Sequence, residues 1–404
     1  MMMKRMIGAA LILCCAALLT GCWDALELNR RAIVAGIGID HTPEAEDQFM
    51  ISFQVVIADE ISGKTGRGAT PTSIYNGTGR TISGAIRNVS RKVPRLTSTA
   101  HARLIVISEA VARRGIAEIM DFLDRDSDIR LTADVVIAKG DVRAKDVVAT
   151  LMPIGKISAY SLSQKVELAS GQLGANYQME IDDILRDLLT PGGGPVINSL
   201  EVIGDVIEAG KKSNLETVES SGIVVVGDLA IFKDDKLVDW LNRDESRGMV
   251  WIKNKTKKTS LFIDSDREFG DIAVDVIRSK TGLKAQLSDP SHPVMQVSVN
   301  ALLSIREVDT HVDLRNPEVL HFIEQKANEV IAKDLRSVVQ KAQSAKSDVF
   351  RFGEVIERQS PTAWKEIKER WEDLFPQLEV EYKVNSVIQN TQMRDRSFKY
   401  NQDS

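Results

Sequence analysis

Cysteine is nearly missing from this chain of 404 residues, and all three examples stand near its start: Cys14, Cys15 and Cys22. Without cysteines farther along, the sequence excludes a disulfide framework, a thiolate zinc site and a cysteine nucleophile in the rest of the protein. An exported protein of this length can do without disulfides, because its core is large enough to stabilise it.

A surplus of positive charge is also missing, since the formal net charge is −5. Nucleic-acid-binding proteins carry a basic surface that neutralises phosphates, so no nucleic acid is expected as a partner. The same acidic balance predicts no broad attraction to anionic lipid. With 43% hydrophobic and 27% charged residues, the composition is that of a folded, water-soluble body.

Long hydrophobic runs are missing too, apart from Met6 to Leu19. That run is shorter than the roughly 20 apolar residues that span a bilayer. Lys4 and Arg5 precede it and small residues follow it, which is the layout of a cleaved secretory signal. We therefore predict that residues 1–21 are a signal peptide.

The residues that end this signal, Leu19-Thr20-Gly21-Cys22, resemble the lipobox of bacterial lipoproteins. In that class the cysteine thiol receives a diacylglycerol, the chain is cut between the residues equivalent to Gly21 and Cys22, and the new amino group is acylated. A thiolate is the side-chain nucleophile best suited to thioether formation. Two or more acyl chains hold a protein durably on a bilayer. The alternative is an ordinary signal with a chance cysteine.

Motifs for catalysis or metal binding are weak in this sequence. Gly36 and Gly38 begin a dinucleotide-binding pattern, but His41 stands where its third glycine belongs. Asp124, Asp126 and Asp128 have the spacing that opens a calcium loop, without its glycine or its closing glutamate. His101 could bind a ligand, although a structural role is the simpler interpretation. No HExxH or GxSxG pattern occurs in the sequence. The sequence therefore predicts no cofactor, no metal and no catalytic residue.

The order of predicted elements indicates an α+β fold with two to three domains, mixed β-sheets packed with helices and one long helix near the C-terminus. The predicted divisions are an N-terminal α/β domain at 22–195, a linker or loop region at 196–221, a C-terminal α+β domain at 222–392 and a polar tail at 393–404. Residues 59–77 are predicted to be an exposed loop and a candidate for partner contacts.

The predicted C-terminal domain opens with a hairpin over 223–240 and continues with strands around 248–254, 271–279 and 294–305. Its long helix should begin at Asn316 and Pro317, which suit a cap and a first turn. A later helix carries Trp364 and Trp371 on one face. Packing inside the domain is the simpler interpretation of that pair, and an exposed docking surface is the alternative.

Many blocks of the chain, in their order, resemble the Ger(x)C family, the C subunits of bacterial spore germinant receptors. The blocks are CWD at 22–24, ELNRRAIV at 27–34, GIGID at 36–40, GTGRTI at 77–82, AIR at 85–87, HARLIVIS at 101–108, FLDRD at 122–126, GDLAIFK at 227–233, RG at 247–248 and DVFRFG at 348–353, followed by Pro361, Trp364, Trp371 and Phe375–Pro376. Arg351 departs from the family, which usually has glycine at that position. A second departure is Asn390-Thr391-Gln392, where a glycine is usual.

The resemblance implies a non-enzymatic protein with three α+β domains. It implies a lipid-anchored subunit that joins membrane-embedded A and B subunits on the outer face of the inner membrane of a spore, in an endospore-forming bacterium. Two other classes remain open from the residues alone. A solute-binding lipoprotein of a transporter should show two similar lobes around a cleft, and a cell-wall hydrolase should show paired carboxyls in a cleft.

Overall fold

A computed structural model of the chain shows two mixed β-sheets with helices packed against them. The residues that it describes are Met6, 30–42, 45–62, 68–264, 271–308 and 313–390. The architecture confirms the predicted α+β class with mixed sheets. The predicted polar tail at 393–404 and, apart from Met6, the predicted signal peptide lie outside the described residues.

The first sheet has nine strands within the described ranges. They are β1 (Arg31–Thr42), β2 (Ala45–Val56), β3 (Thr72–Gly79), β4 (Leu96–Ser98), β5 (Leu104–Ser108), β6 (Asp134–Ala138), β7 (Val196–Gly204), β8 (Gly222–Lys233) and β9 (Lys236–Leu241). The spatial order is β3-β2-β1-β5-β6-β7-β8-β9, and β4 lies beside the start of β1. The inner strands β1, β5, β6 and β7 are parallel to one another.

Helices cover both faces of this sheet, which explains why every residue of β5 and β6 is buried. These helices are α1 (Ala58–Ser62), α2 (Ile82–Ser90), α3 (Glu109–Arg114), α4 (Ala117–Arg125), α5 (Ala144–Ala149), α6 (Ser158–Gln172), α7 (Ile181–Leu188), α8 (Val206–Ala209) and α9 (Ser213–Glu216). Apolar residues of α5 and α6 pack on one face of the sheet. Those of α2, α3, α4 and α7 pack on the other.

Two predictions for this half of the chain were wrong. Residues 196–221 are not a linker, because β7 lies between β6 and β8 in the sheet and is followed by α8 and α9. The Pro-Gly-rich run at 191–195, where the predicted N-terminal domain ends, is a loop between α7 and β7. The predicted exposed loop at 59–77 contains α1 and most of β3, which pairs with β2 at the edge of the sheet.

The hairpin at 223–240 forms as predicted, since Asp234 makes its turn with φ 52°. It belongs to the first sheet rather than to the C-terminal sheet, because β8 pairs antiparallel with β7. The first sheet therefore continues to Leu241 and the second begins at Thr259. The predicted domain division at 196–221 does not coincide with this change of sheet.

The second sheet has four strands within the described ranges: β10 (Thr259–Asp264), β11 (Asp271–Gln286), β12 (Val294–Val308) and β13 (Glu379–Asn390). They follow in that order, and β13 runs parallel to β12. The helices of this part are α10 (Arg243–Ile252), α11 (Pro317–Ser344), α12 (Phe352–Gln359), α13 (Pro361–Ile367) and α14 (Trp371–Leu374).

Helix α10 corrects the predicted strand at 248–254. Asn242 accepts a hydrogen bond from the backbone N–H of Glu245, whose carboxylate accepts one from the N–H of Asn242. This reciprocal cap fixes the start of a helix, whose apolar last turns, Met249 to Ile252, are buried.

Helix α11 begins as predicted. Asn316 accepts a hydrogen bond from the N–H of Glu318, and Pro317 occupies the first turn. Its buried stripe packs against the second sheet, while its C-terminal end meets the first. There Lys341 lies 2.6 Å from Asp239. Just beyond the helix, Ser347 donates to the carbonyl of Phe232 at 2.6 Å.

Candidate functional site

The predicted lipidation site, Cys22, and the cleavage position after Gly21 lie outside the described residues. The described residues resume at Arg30 and Arg31, eight and nine residues after Cys22 in the sequence. Arg31 pairs with Leu96 at the start of the parallel contact between β1 and β4. The chain therefore enters the first sheet beside the turn that connects α2 to β4.

The glycines at 36 and 38 let two helices pack directly on β1. A Cβ at Gly36 would lie 2.6 Å from that of Ala159 in α6, and one at Gly38 would lie 3.0 Å from the carbonyl carbon of Ala144 in α5. Asp40 then caps α5, because its carboxylate accepts from the backbone N–H groups of Ala144 and Lys145 at 2.8 and 2.9 Å. Burial raises the pKa of Asp40, although these two hydrogen bonds act to lower it. The motif therefore serves close packing of α5 and α6 on β1.

A second motif, Gly227-Asp228, lies beside the ammonium group of Lys139. Lys139 contacts Asp228 at 2.7 Å and Glu201 at 3.0 Å, and it lies 5.2 Å from the ring centre of Trp240. Burial alone would lower the pKa of Lys139, but the two carboxylates outweigh it and raise that pKa. A Cβ at residue 227 would lie 2.4 Å from Glu201. The glycine therefore leaves room for this cluster.

The third motif, Arg247-Gly248, joins α10 to α11. Arg247 donates to both oxygens of Asp334, at 2.6 Å from Nε and 2.9 Å from Nη2. Asp334 is only 1% exposed, and burial raises its pKa to about 6 although Arg247 opposes that shift. A Cβ at Gly248 would lie 2.3 Å from the Asp334 carbonyl oxygen. The pair holds the helix after the first sheet against the longest helix of the second.

A charged cleft of about 500 Å³ lies between the two parts of the fold, which are the first sheet with its helices and the second sheet with its helices. At its centre Arg351 of the segment before α12 binds Asp187 of α7, and Lys253 lies 4.0 Å from the same carboxylate. Burial lowers the pKa of Lys253. Arg351 has φ 61°, the left-handed conformation that favours glycine. Its ion pair with Asp187 compensates for the strain that this conformation imposes on a residue with a Cβ.

Next to this cleft, Asp348 is fully buried and closes a turn. Its carboxylate accepts from the backbone N–H groups of Phe352 and Gly353 and from the indole of Trp371 at 3.1 Å. Burial raises the pKa of Asp348. Trp371 also meets the ring of Trp364 edge to face, with ring centres 5.4 Å apart. Both tryptophans are buried, so they pack inside the fold and do not form a docking surface.

The lining of the cleft carries more positive than negative side chains. Its ionisable lining residues are Arg186, Lys253, Lys255, Arg351, Arg358, Asp183 and Asp187, besides Tyr177. Arg186 contacts Asp182 and Asp183, and Arg351 contacts Asp187, so much of the charge is already paired. The arrangement braces the two parts of the fold by charge pairing. Such a cationic lining suits an anionic group better than it suits acid–base catalysis.

The remaining candidate residues lie apart from these clusters. The side chain of Asp126 accepts from the N–H groups of Asp128 and Ile129, which closes a turn at the end of α4. The carbonyl of His101 accepts from the hydroxyl of Tyr160. Among the described residues, no group of three or more histidine, cysteine or acidic side chains is placed to hold a metal ion. In that same part of the chain, no helix is long and apolar enough to cross a membrane.

Comparison with known proteins gives matches over nearly the whole chain. The family described as "Spore germination protein N-terminal domain" matches residues 24–202, and "Spore germination B3/ GerAC like, C-terminal" matches residues 227–392. Spore germination protein KC of Bacillus subtilis (strain 168) is 30% identical over 406 aligned residues, with 99% of both chains covered. The chain belongs to the Ger(x)C family of spore germination proteins.

Other members agree with this assignment. The putative spore germination protein YfkR of Bacillus subtilis (strain 168) is 25% identical over 384 residues, covering 94% of this chain and 95% of its own. The crystal structure of the GerBC protein superposes with a TM-score of 0.54 at 20% identity, covering 88% of this chain and 97% of that one. This Ger(x)C protein therefore shares the GerBC fold.

The sequence did not reveal the charged pairs that connect the two parts. Arg247 and Asp334 are separated by 87 residues, and Arg351 and Asp187 by 164. No periodicity joins such distant positions. The only available signals were the Arg247-Gly248 block and the unusual Arg351.

Proposed function

We propose that this chain is the lipid-anchored C subunit of a spore germinant receptor and that it has no catalytic activity. In this proposal the signal is cut after Gly21, and Cys22 carries an S-linked diacylglycerol and an acylated amino group. The body then sits on the outer face of the spore's inner membrane and assembles with membrane-embedded A and B subunits during nutrient-triggered germination.

The observation that carries the proposal is the match to two families of spore germination proteins, over residues 24–202 and 227–392. The relative KC aligns over 99% of both chains, so no part of this chain is foreign to that class. Cys22 stands at the end of an apolar run, where a lipoprotein would carry its anchor.

The described polar clusters support a structural role for the buried charges. Asp40 and Asp348 cap backbone N–H groups, and Asp334 binds Arg247. These carboxyls are therefore occupied by partners within the fold. The cleft carboxyl Asp187 is likewise held by Arg351.

No observation on the described residues favours either alternative, the solute-binding lipoprotein or the cell-wall hydrolase. A solute-binding lipoprotein should have two similar lobes, whereas the two sheets here differ in strand number and in topology. A glycoside hydrolase of the cell wall needs two carboxyls acting together across a cleft. In the cleft described above, cations hold the acidic side chains.

The anchor is tested by intact-mass analysis of the protein isolated from spore membranes. We expect the N-terminal peptide to begin at residue 22 and to carry the mass of a diacylglyceryl thioether and an acyl group. Cys22→Ala should lose both. Cys15→Ala is the matched control, because it changes a cysteine inside the signal and should leave the modification intact. An unmodified thiol at Cys22 of the wild-type protein would refute the anchor.

Assembly is tested by isolating the tagged protein from solubilised spore membranes. Recovery together with two polytopic membrane proteins encoded as receptor subunits is the expected result. Recovery with a transporter permease instead would favour the solute-binding alternative and overturn the receptor assignment.

A further inference from the structure

One long segment of this acidic protein contains no acidic residue. Between residues 61 and 108 there is no aspartate or glutamate, but there are eight lysines and arginines, so the segment carries +8 in a chain of net charge −5. The segment includes β3, α2, β4 and β5. The net charge of the whole chain therefore conceals a strongly basic region of the first sheet.

Four of these cations are exposed near the C-terminal end of α2, and two more from the start of β1 lie beside them. We call the following group the basic face: Arg30, Arg31, Arg87, Arg91, Lys92 and Arg95. Arg31 is half-buried and the other five are exposed. Arg87 and Arg91 are four positions apart, at the end of α2 and just beyond it, and therefore point to the same side. Within the described residues, none of the six makes an ion pair.

The basic face lies at the start of β1, where the described residues resume after Met6. Arg31 pairs with Leu96 on β4, so Arg95 lies beside the first described residues. Leu96 is 56% exposed and adds an apolar side chain at the same place. Arg30 follows Cys22 by eight residues. Eight residues span at most about 28 Å even when fully extended. A lipid on Cys22 would keep this end of the protein near the bilayer.

Neighbouring acids do not cancel this charge. The helix packed against α2 is α4, where Asp121 already binds Arg125 and Asp124 lies nearby. In the sequence before Arg30, Asp24 and Glu27 are the two acidic residues that follow Cys22. With Glu118 of α4, these sources supply five acidic residues against six cations, and one of the five, Asp121, already binds Arg125.

We propose that the basic face docks against anionic lipid headgroups and forms a second, electrostatic contact beside the lipid anchor. This inference rests on the proposed function, because it takes the bilayer to be the surface next to Cys22. Clusters of four or more lysines and arginines beside a membrane attachment point attract anionic lipid. A polybasic patch next to an acyl anchor strengthens attachment and fixes which side of the protein meets the membrane.

The test uses the mature-length chain, residues 22–404, with Cys22→Ser so that no acyl chain contributes. Its binding is measured by co-sedimentation with phosphatidylcholine vesicles that contain roughly one-third phosphatidylglycerol. The triple variant Arg91→Gln, Lys92→Gln and Arg95→Gln should reduce the partition coefficient roughly 10- to 100-fold. Raising the salt concentration should reduce wild-type binding in the same direction, because exposed charges are screened.

The matched control removes three cations elsewhere: Arg278→Gln, Lys280→Gln and Lys284→Gln. These exposed residues lie on β11 of the second sheet and also make no ion pair within the described residues. The control should bind the vesicles like wild type.

Equal losses in both triple variants would overturn the proposal, since total charge rather than the basic face would then decide binding. Wild-type binding that is no stronger to the anionic vesicles than to pure phosphatidylcholine would also overturn it, and would point to an acidic protein partner. The mass of Cys22 is measured separately, so failure of the basic face is distinguishable from failure of the anchor.

Discussion

Arg247 donates a hydrogen bond to each carboxylate oxygen of Asp334. This contact connects α10, which follows the first sheet, to α11, the long helix that packs on the second sheet. The Nε and Nη2 atoms lie 2.6 and 2.9 Å from the two oxygens. The arginine is 12% exposed and the aspartate 1%. Such a two-point contact fixes orientation as well as distance. It therefore sets the angle between α10 and α11.

The pKa of Asp334 makes stability depend on pH. Burial raises that pKa from the usual 3.8 to about 6. The folded state then holds the proton more tightly, so this carboxyl favours folding most below pH 3.8, and the benefit is lost as pH rises through 6. The loss amounts to about 3 kcal/mol.

The measurement is chemical denaturation of wild type and Asp334→Asn between roughly pH 4 and 7. The asparagine does not titrate, so the unfolding free energy of wild type should fall relative to the variant as pH rises. If the unfolding free energy of wild type instead rose relative to that of the variant as pH increased, Arg247 would outweigh burial in setting the pKa of Asp334.

Arg351→Gly separates backbone strain from charge pairing. Glycine adopts the left-handed conformation without the steric strain of a Cβ, which should stabilise the folded state by about 1 kcal/mol. Loss of the guanidinium leaves the buried Asp187 with only Lys253, at 4.0 Å, which should cost more than that gain. We expect a net destabilisation of about 2 kcal/mol.

The control is the same change in an Asp187→Asn background, analysed as a double-mutant cycle. There Arg351→Gly should be neutral or stabilising, because no buried carboxylate is left unpaired. A full loss of stability in both backgrounds would mean that the ion pair is not what retains Arg351.

Gly36→Ala tests the close packing of α6 on β1. The new methyl would lie 2.6 Å from the Cβ of Ala159, so the helix must shift. We expect a loss of about 1–3 kcal/mol in unfolding free energy. Gly282→Ala in β11 is the control, since a Cβ there meets no atom of the described residues within 4 Å and should be neutral or slightly stabilising. Equal effects of the two changes would contradict this account of the motif.

Trp371→Phe removes the indole donor to Asp348. The buried carboxylate would keep its two backbone partners but lose a charge-assisted hydrogen bond, which typically contributes about 1.5–3 kcal/mol. Trp364→Phe makes a similar change in size at the neighbouring ring. Thermal or chemical unfolding should show a larger loss of stability for Trp371→Phe than for Trp364→Phe. The reverse order would mean that the hydrogen bond to Asp348 does not contribute to stability.

Local signals in the sequence predicted local structure well. The start of α11 followed from Asn316 and Pro317, because a cap and a first-turn proline act within a few residues. The strand predicted at 248–254 failed because the apolar end of a helix, Met249 to Ile252, has the composition of a strand. The Asn242 and Glu245 cap lay upstream and outside that window.

Long-range relationships were beyond sequence reasoning. The hairpin β8–β9 was placed in the wrong sheet, because a strand's partners depend on topology rather than on its own residues. The charged cleft depends in the same way on Asp187 and Arg351, which only the fold brings together. The family resemblance marked Arg351 as unusual, but the structure was needed to show its left-handed backbone and its partner.

The length of α11 has a mechanical consequence. Its 28 residues make a rod of about 42 Å, and Asp334 lies about 26 Å from its first turn. Because its buried stripe packs on the second sheet while Lys341, near its end, pairs with Asp239 of the β8–β9 hairpin, this single helix spans both sheets.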